Sequence, residues 1–89
     1  MNGLPLLAEF LGTFLLVMAI LATGNALVIG GTLGLLVLLL GGVSGAHVNP
    51  AVSVAMLLKG SIGTLEFFTY SVAQLAGGAA AWYAYQVLA

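Results

Sequence analysis

The residues best suited to chemistry are concentrated at positions 44–52, a polar interruption (Ser-Gly-Ala-His-Val-Asn-Pro-Ala-Val) in an otherwise apolar chain. Asn49 suits the N-cap of a helix, and Pro50 suits its first turn, where no backbone N–H is needed. A short helix is therefore expected over residues 51–58, closed by a lysine and a glycine. Such a helix rises about 12–15 Å against a bilayer core of about 30 Å, so we predict a re-entrant segment.

The chemistry that this stretch favours is hydrogen bonding to a passing neutral molecule. Asn49 offers side-chain N–H donors at the positive end of the short helix. Carbonyls outside any helix offer acceptors along the same path, and they belong to Gly45, Ala46 and His47. A small neutral solute could then exchange hydrogen bonds without full dehydration, whereas a cation meets the positive end of the helix dipole. The alternative is that Asn49 only caps a kinked helix.

Two titratable residues could take part in this chemistry. His47 could line a pore, brace the loop or act as a pH gate. A lone histidine without a second ligand is not a metal site, and we expect no cofactor, no catalytic residue and no enzymatic activity. Glu9 would lie deep in a bilayer, where a carboxylate is functional by default. It could accept hydrogen bonds from N–H groups of the loop or exchange protons as part of a transporter.

The composition indicates a membrane setting for these residues. Of the 89 residues, 63% are hydrophobic and 3% are charged, against about 25% charged residues in a soluble domain. We therefore predict an integral, multi-pass membrane protein whose surroundings are the lipid bilayer. One basic residue cannot neutralise a phosphate backbone, so nucleic acid is excluded as a partner. The sequence does not indicate which membrane holds the chain.

The elements that must position the polar stretch are three apolar segments. We predict spans over residues 4–23, 26–43 and 65–88, within a single domain covering residues 1–89. The fold class is thus an all-α membrane protein with three transmembrane helices and one re-entrant half-helix. Thr64 is expected to cap the last span, and its two ends carry aromatic residues that suit the membrane interfaces. Those residues are Phe67, Phe68 and Tyr70 at one end and Trp82, Tyr83 and Tyr85 at the other.

Three motifs resemble the aquaporin, or major intrinsic protein, family in order and spacing. They are Ala-Glu-Phe-Leu-Gly-Thr-Phe at residues 8–14, the loop with its Asn-Pro-Ala motif at residues 44–53, and Tyr-Ser-Val-Ala-Gln-Leu-Ala-Gly-Gly at residues 70–78. They look like the first half-repeat of that family. The resemblance implies a passive channel for water or small neutral solutes such as glycerol. It also implies that Asn49, Pro50 and Ala51 line the pore, while Glu9 and Gln74 brace the loop.

The resemblance further implies which residues form the constriction. The family pattern points to Ile29, Ala46 and Val52, all apolar here, which is similar to the roomier and less polar filters. Val52 stands where the second-half motif of the family would place an arginine. This pattern favours passage of solutes larger than water.

One half-repeat cannot enclose a pore, because loop backbone would face lipid on one side. We therefore expect a second copy, inserted in the opposite orientation, or another half-channel as the partner. One lysine and no arginine give little orientation bias, which permits a dual-topology homodimer. Two alternatives remain open. One is a small proton-coupled transporter using Glu9, and the other is an accessory subunit or fragment of a full-length channel.

Overall fold

The computed structural model describes residues 2–89, and these residues form four helices and no β-strand. The helices are α1 (Leu4–Thr23), α2 (Ala26–Leu40), α3 (Pro50–Lys59) and α4 (Thr64–Leu88). The predicted all-α class is confirmed.

The connection between α1 and α2 follows from two adjacent residues. Gly24 adopts a left-handed conformation, with φ of 57°, and its N–H donates to the carbonyl of Ile20. Asn25 then caps α2, because its side-chain oxygen accepts hydrogen bonds from the N–H groups of Leu27 and Val28. A glycine that ends one helix and an asparagine that begins the next produce a short reversal.

Two predicted boundaries differ from the structure. The second apolar segment is helical only to Leu40, and the chain then continues in tight turns, with the N–H of Ser44 donating to the carbonyl of Leu40 at 2.9 Å. The prediction that Thr64 caps α4 is wrong. Gly63 occupies the N-cap position, and its N–H donates to Oε1 of Glu66 at 3.2 Å.

The core of the fold is the contact between α1 and α4. Among the four described helices, α2 packs only on α1, and α3 packs only on α4. A Cβ at Gly77 would lie 2.5 Å from the carbonyl oxygen of Phe10, so the close approach of the two helices requires glycine there. The buried residues of α4 recur at helical spacing and are Tyr70, Gln74, Gly77 and Ala81.

The burial pattern is the reverse of that in a water-soluble domain. The buried set includes many polar residues, and the fully buried side chains include Glu9, Ser53 and Gln74. Large apolar side chains face outward, among them Leu27 and Leu38, which are more than four-fifths exposed. Among the described helices, α1 alone combines the length and the hydropathy of a membrane span, while α2 and α3 are shorter apolar helices. An apolar exterior around polar side chains suits a lipid environment.

Candidate functional site

The Glu9 carboxylate lies at the centre of a buried polar cluster. Its Oε2 accepts hydrogen bonds from Ser44 Oγ at 2.6 Å and from the N–H of His47 at 3.1 Å. Its Oε1 accepts from the N–H of Val48 at 2.8 Å and from Gln74 Nε2 at 2.7 Å. The side chain is fully buried, with 0% exposure. Four donors, three from the loop and one from α4, therefore converge on one carboxylate, which is how a buried charge is kept satisfied.

The surface of α1 is shaped to receive the loop. Gly12 lies one helical turn after Glu9, and a Cβ there would be 2.8 Å from Cγ1 of Val48 and 3.0 Å from Cδ1 of Leu40. Glycine at this position leaves room for the Val48 side chain, while Glu9 holds the Val48 backbone. Residues three apart on a helix share a face, so one face of α1 provides both contacts.

The loop has an unusual backbone conformation between α2 and α3. Gly45 has φ of 90°, Ala46 has φ of 50°, and Val48 has φ of 46°. A positive φ is uncommon for any residue with a Cβ and especially for a β-branched one, and each such residue costs about 1–3 kcal/mol. The hydrogen bonds from the N–H groups of His47 and Val48 to Glu9 stabilise this conformation.

His47 belongs to the interior of this cluster. Its side chain is 7% exposed, its Nδ1 lies 2.8 Å from Ser53 Oγ, and its ring centroid lies 5.1 Å from that of Tyr70. Gln74 Nε2 donates to the same Ser53 oxygen at 2.9 Å, which leaves the serine O–H free to donate to Nδ1 of His47. Burial and these contacts favour a bracing role for the ring over a pore-lining role.

Asn49 lies at the outer edge of the cluster, at the N-terminus of α3. It is exposed, and its Oδ1 accepts a hydrogen bond from the N–H of Ala51 at 2.9 Å. Within residues 2–89, the amide nitrogen of Asn49 has no hydrogen-bond partner. The same holds for the carbonyl oxygens of three loop residues, which are Gly45, Ala46 and His47. The amide donors at the N-terminus of α3 and the carbonyl acceptors of the loop before it are thus both available to a solute.

The structure does not bring the predicted constriction residues together. Ile29 is half-buried on α2, Val52 is 36% exposed on α3, and those two helices do not contact each other. Ala46 is buried, with 7% exposure, so its methyl group faces the interior of the chain. Pro50 is half-buried and Ala51 is exposed on the first turn of α3. The assignment of these residues to a filter stays a prediction.

Three members of the cluster were not predicted as site residues, namely Ser44, Ser53 and Tyr70. Assignment of Tyr70 to an interfacial aromatic belt is wrong, because the ring is 6% exposed and its hydroxyl donates to the carbonyl of Ser44 at 2.7 Å. Its position four residues before Gln74 was the available signal, since the two then share one face of α4.

Comparison with known proteins places these features in context. The sequence matches the family described as "Major intrinsic protein" over residues 4–88. It is 42% identical to the glycerol uptake facilitator protein-like 6 of Lactiplantibacillus plantarum, over 80% of this chain and 37% of the relative. It is 38% identical to the aquaglyceroporin AqpS of Rhizobium meliloti, over 82% of this chain and 38% of the relative.

A third relative, aquaporin Z of Brucella melitensis, is 39% identical over 83% of this chain and 39% of the relative. The chain thus spans less than two fifths of the length of each of these three relatives. No solved structure gives a significant match.

Proposed function

The chain belongs to the major intrinsic protein family, whose members are membrane channels and not enzymes. We propose that this chain forms a passive channel for water and small neutral solutes. In this proposal α1, α2 and α4 span the membrane, and α3 is a re-entrant half-helix. At about 1.5 Å per residue, the 10 residues of α3 reach only about 15 Å, half the thickness of the bilayer core.

The observation that carries the proposal is the set of free hydrogen-bonding groups around the loop. The carbonyls of Gly45, Ala46 and His47 are unpaired within the described residues, and the amide nitrogen of Asn49 follows them along the chain. A water molecule could replace its lost hydrogen bonds on the carbonyls and then on the amide. A cation gains nothing from the amide and meets the positive N-terminus of α3, worth about half an elementary charge.

The proposed solutes extend beyond water to small polyols such as glycerol. Ile29 and Val52 present only carbon atoms, and Ala46 contributes its carbonyl while its methyl group is buried. A constriction without a charged side chain is weakly polar, which suits a molecule with a carbon backbone. Two of the relatives carry the names glycerol uptake facilitator and aquaglyceroporin, which supports this solute class.

We propose that the pore is completed by a second half-repeat, in the simplest case a second copy in the opposite orientation. Gly45, Asn49 and Val52 are exposed, and irregular backbone at membrane depth must be covered by protein or line an aqueous cavity. An opposed copy would bring two α3 N-termini together and cover both loops. The single lysine gives little preference for one orientation over the other.

The hydrogen bonds of Glu9 count against the alternative of a proton-coupled transporter. A proton added to either carboxylate oxygen would displace at least one of four donors, two of which are backbone N–H groups of the loop, including that of Val48 with its positive φ. Each transport cycle would therefore disrupt the loop. We expect Glu9 to stay in place while solute passes.

Stopped-flow light scattering of proteoliposomes containing only this chain tests the proposal. Vesicles should shrink faster than protein-free vesicles in hyperosmotic sucrose and re-swell in glycerol, at rates that do not change when a pH gradient is imposed. Rates equal to those of protein-free vesicles would contradict channel formation by this chain alone and favour the accessory role. Solute flux driven by the pH gradient would favour the transporter.

A further inference from the structure

Among the described residues, Tyr70 is the one aromatic residue whose hydroxyl donates to the loop backbone, at the carbonyl of Ser44. It lies on α4, 26 residues from its acceptor, and its ring is buried with 6% exposure. The geometry points to Tyr70 as a positioning residue that orients the free carbonyls of the loop, and this inference rests on the proposed channel function.

The acceptor of this bond is the residue from which the loop turns. Ser44 donates its N–H to Leu40 and its hydroxyl to Glu9, and its hydroxyl oxygen accepts from the N–H of Ala46 at 3.1 Å. The following peptide group is held on both sides, because Tyr70 donates to its carbonyl and its N–H donates to the carbonyl of Gly41 at 3.1 Å. The direction in which the chain leaves Ser44 therefore depends on the tyrosine hydroxyl.

Two residues with positive φ lie immediately after that peptide group. Gly45 and Ala46 both have positive φ, and their carbonyls are two of the three free acceptors. At the far end, Glu9 holds the N–H groups of His47 and Val48. These N–H groups share their peptide groups with the free carbonyls of Ala46 and His47. The free carbonyls thus all follow the attachment to Tyr70, and Glu9 holds the last two of their peptide groups from the N–H side.

The Tyr70 ring also contacts the side chain of His47, the residue that carries the third free carbonyl. Its centroid is 5.1 Å from that of His47, at an interplanar angle of 54°. One side chain of α4 therefore contacts the loop at two points, through its hydroxyl at Ser44 and through its ring at His47. A substitution that removes the oxygen and keeps the ring separates these contacts.

The test compares Tyr70→Phe with Tyr83→Phe, a matched control on the same helix whose ring is 68% exposed and whose hydroxyl has no hydrogen bond within the described residues. The net contribution of one hydrogen bond corresponds to a change of about three- to tenfold in the population of displaced loop. We expect Tyr70→Phe to change the ratio of glycerol to water permeability by about that factor at equal folded protein content. Tyr83→Phe should leave the ratio unchanged.

Amide hydrogen exchange of residues 44–48 separates this inference from the channel proposal. Exchange in Tyr70→Phe should be about three- to tenfold faster than in the wild type, with α1 and α4 unchanged. If the wild type conducts solute and Tyr70→Phe changes neither the exchange rates nor the permeability ratio, the inference is wrong and the channel proposal is unaffected. If the wild type does not conduct, faster exchange still supports the positioning role, and unchanged exchange contradicts it.

A second variant covers the case in which Tyr70→Phe does not fold. Replacement of Tyr70 by 4-aminophenylalanine keeps a donor at the end of the ring and should preserve wild-type exchange and selectivity. Altered hydrogen exchange of the loop in that folded variant would contradict the inference, because a donor would then be present at the end of the ring without holding the loop in place.

Discussion

At the scale of single residues, the Glu9 carboxylate connects the loop to the helices. Glu9→Gln keeps one oxygen that can accept two donors, whereas Glu9→Ala removes both oxygens. Each buried N–H left without a partner costs about 1–3 kcal/mol. We therefore expect Glu9→Gln to retain part of the osmotic flux, and Glu9→Ala to lose it together with thermal stability in detergent.

Glu66→Gln is the matched control for these variants, because Glu66 is exposed and, within residues 2–89, accepts a hydrogen bond only from the N–H of Gly63. It should leave flux unchanged. Complete loss of flux in Glu9→Gln at normal stability, with a wild-type rate that follows a pH gradient, would instead support proton coupling.

The amide of Asn49 gives a second prediction at this scale. Asn49→Ser keeps a good helix cap and removes the two amide donors, while Asn25→Ser makes the same change at the cap of α2. We expect lower water flux for Asn49→Ser and unchanged flux for Asn25→Ser, measured by vesicle shrinkage. Equal fluxes in the two variants would show that Asn49 serves only as a cap.

Val52 gives the third residue-scale prediction. Val52→Arg should lower glycerol flux more than water flux, because a long cationic side chain narrows the path and adds donors. Val54→Arg, two residues further along α3 and also exposed, is the control for the general cost of a charge in this helix. Equal loss of both fluxes at unchanged dimer content would show that Val52 does not line the filter.

At the scale of elements, the crossing of α1 and α4 brings Gln74 to Glu9 and Tyr70 to the loop. Gly77→Ala would place a Cβ 2.5 Å from the Phe10 carbonyl oxygen, whereas a Cβ at Gly78 meets only Val17 Cγ2 at 3.9 Å. Forcing these helices apart should destabilise the fold by about 1–3 kcal/mol. Gly78→Ala should be neutral or slightly stabilising in the same thermal unfolding measurement.

The helical elements were largely predictable from the sequence, and the buried faces were not. Gly24 and Asn25 mark the reversal after α1 by their conformational preferences, and Asn49 with Pro50 marks the start of α3. In a membrane protein, however, lipid-facing and buried positions are both apolar, so hydropathy does not identify the packed face of α4. Tyr70 lies on that face because α4 crosses α1 at Gly77, which is a tertiary feature.

The polar loop was predictable in composition and not in conformation. The residues of 44–52 indicate a hydrogen-bonding segment, and the resemblance points to Glu9 and Gln74 as its partners. The positive φ of Ala46 and Val48 has no local signal, because neither residue type favours that conformation. It depends on donors and acceptors supplied from α1 and α4.

At the scale of the whole molecule, the charge distribution gives a prediction about orientation. With a single lysine and no arginine, a cysteine introduced at Ser61 should be labelled from both sides of the membrane by an impermeant reagent. A cysteine placed next to it, at Ile62, should behave in the same way. Labelling from one side only would contradict dual topology.

Orientation-locked chains test the proposed pore between two opposed copies most directly. Lysines at Ser61 and Ile62 bias one end of the molecule to the cytoplasmic side, and lysines at Ala22 and Thr23, in the last turn of α1, bias the other end. Osmotic water permeability is measured for each locked chain alone and for co-expressed mixtures at constant total protein. We predict little flux from either chain alone and a maximum for the equal mixture. A flux that is the same for one locked chain alone as for the mixture would contradict the opposed pair.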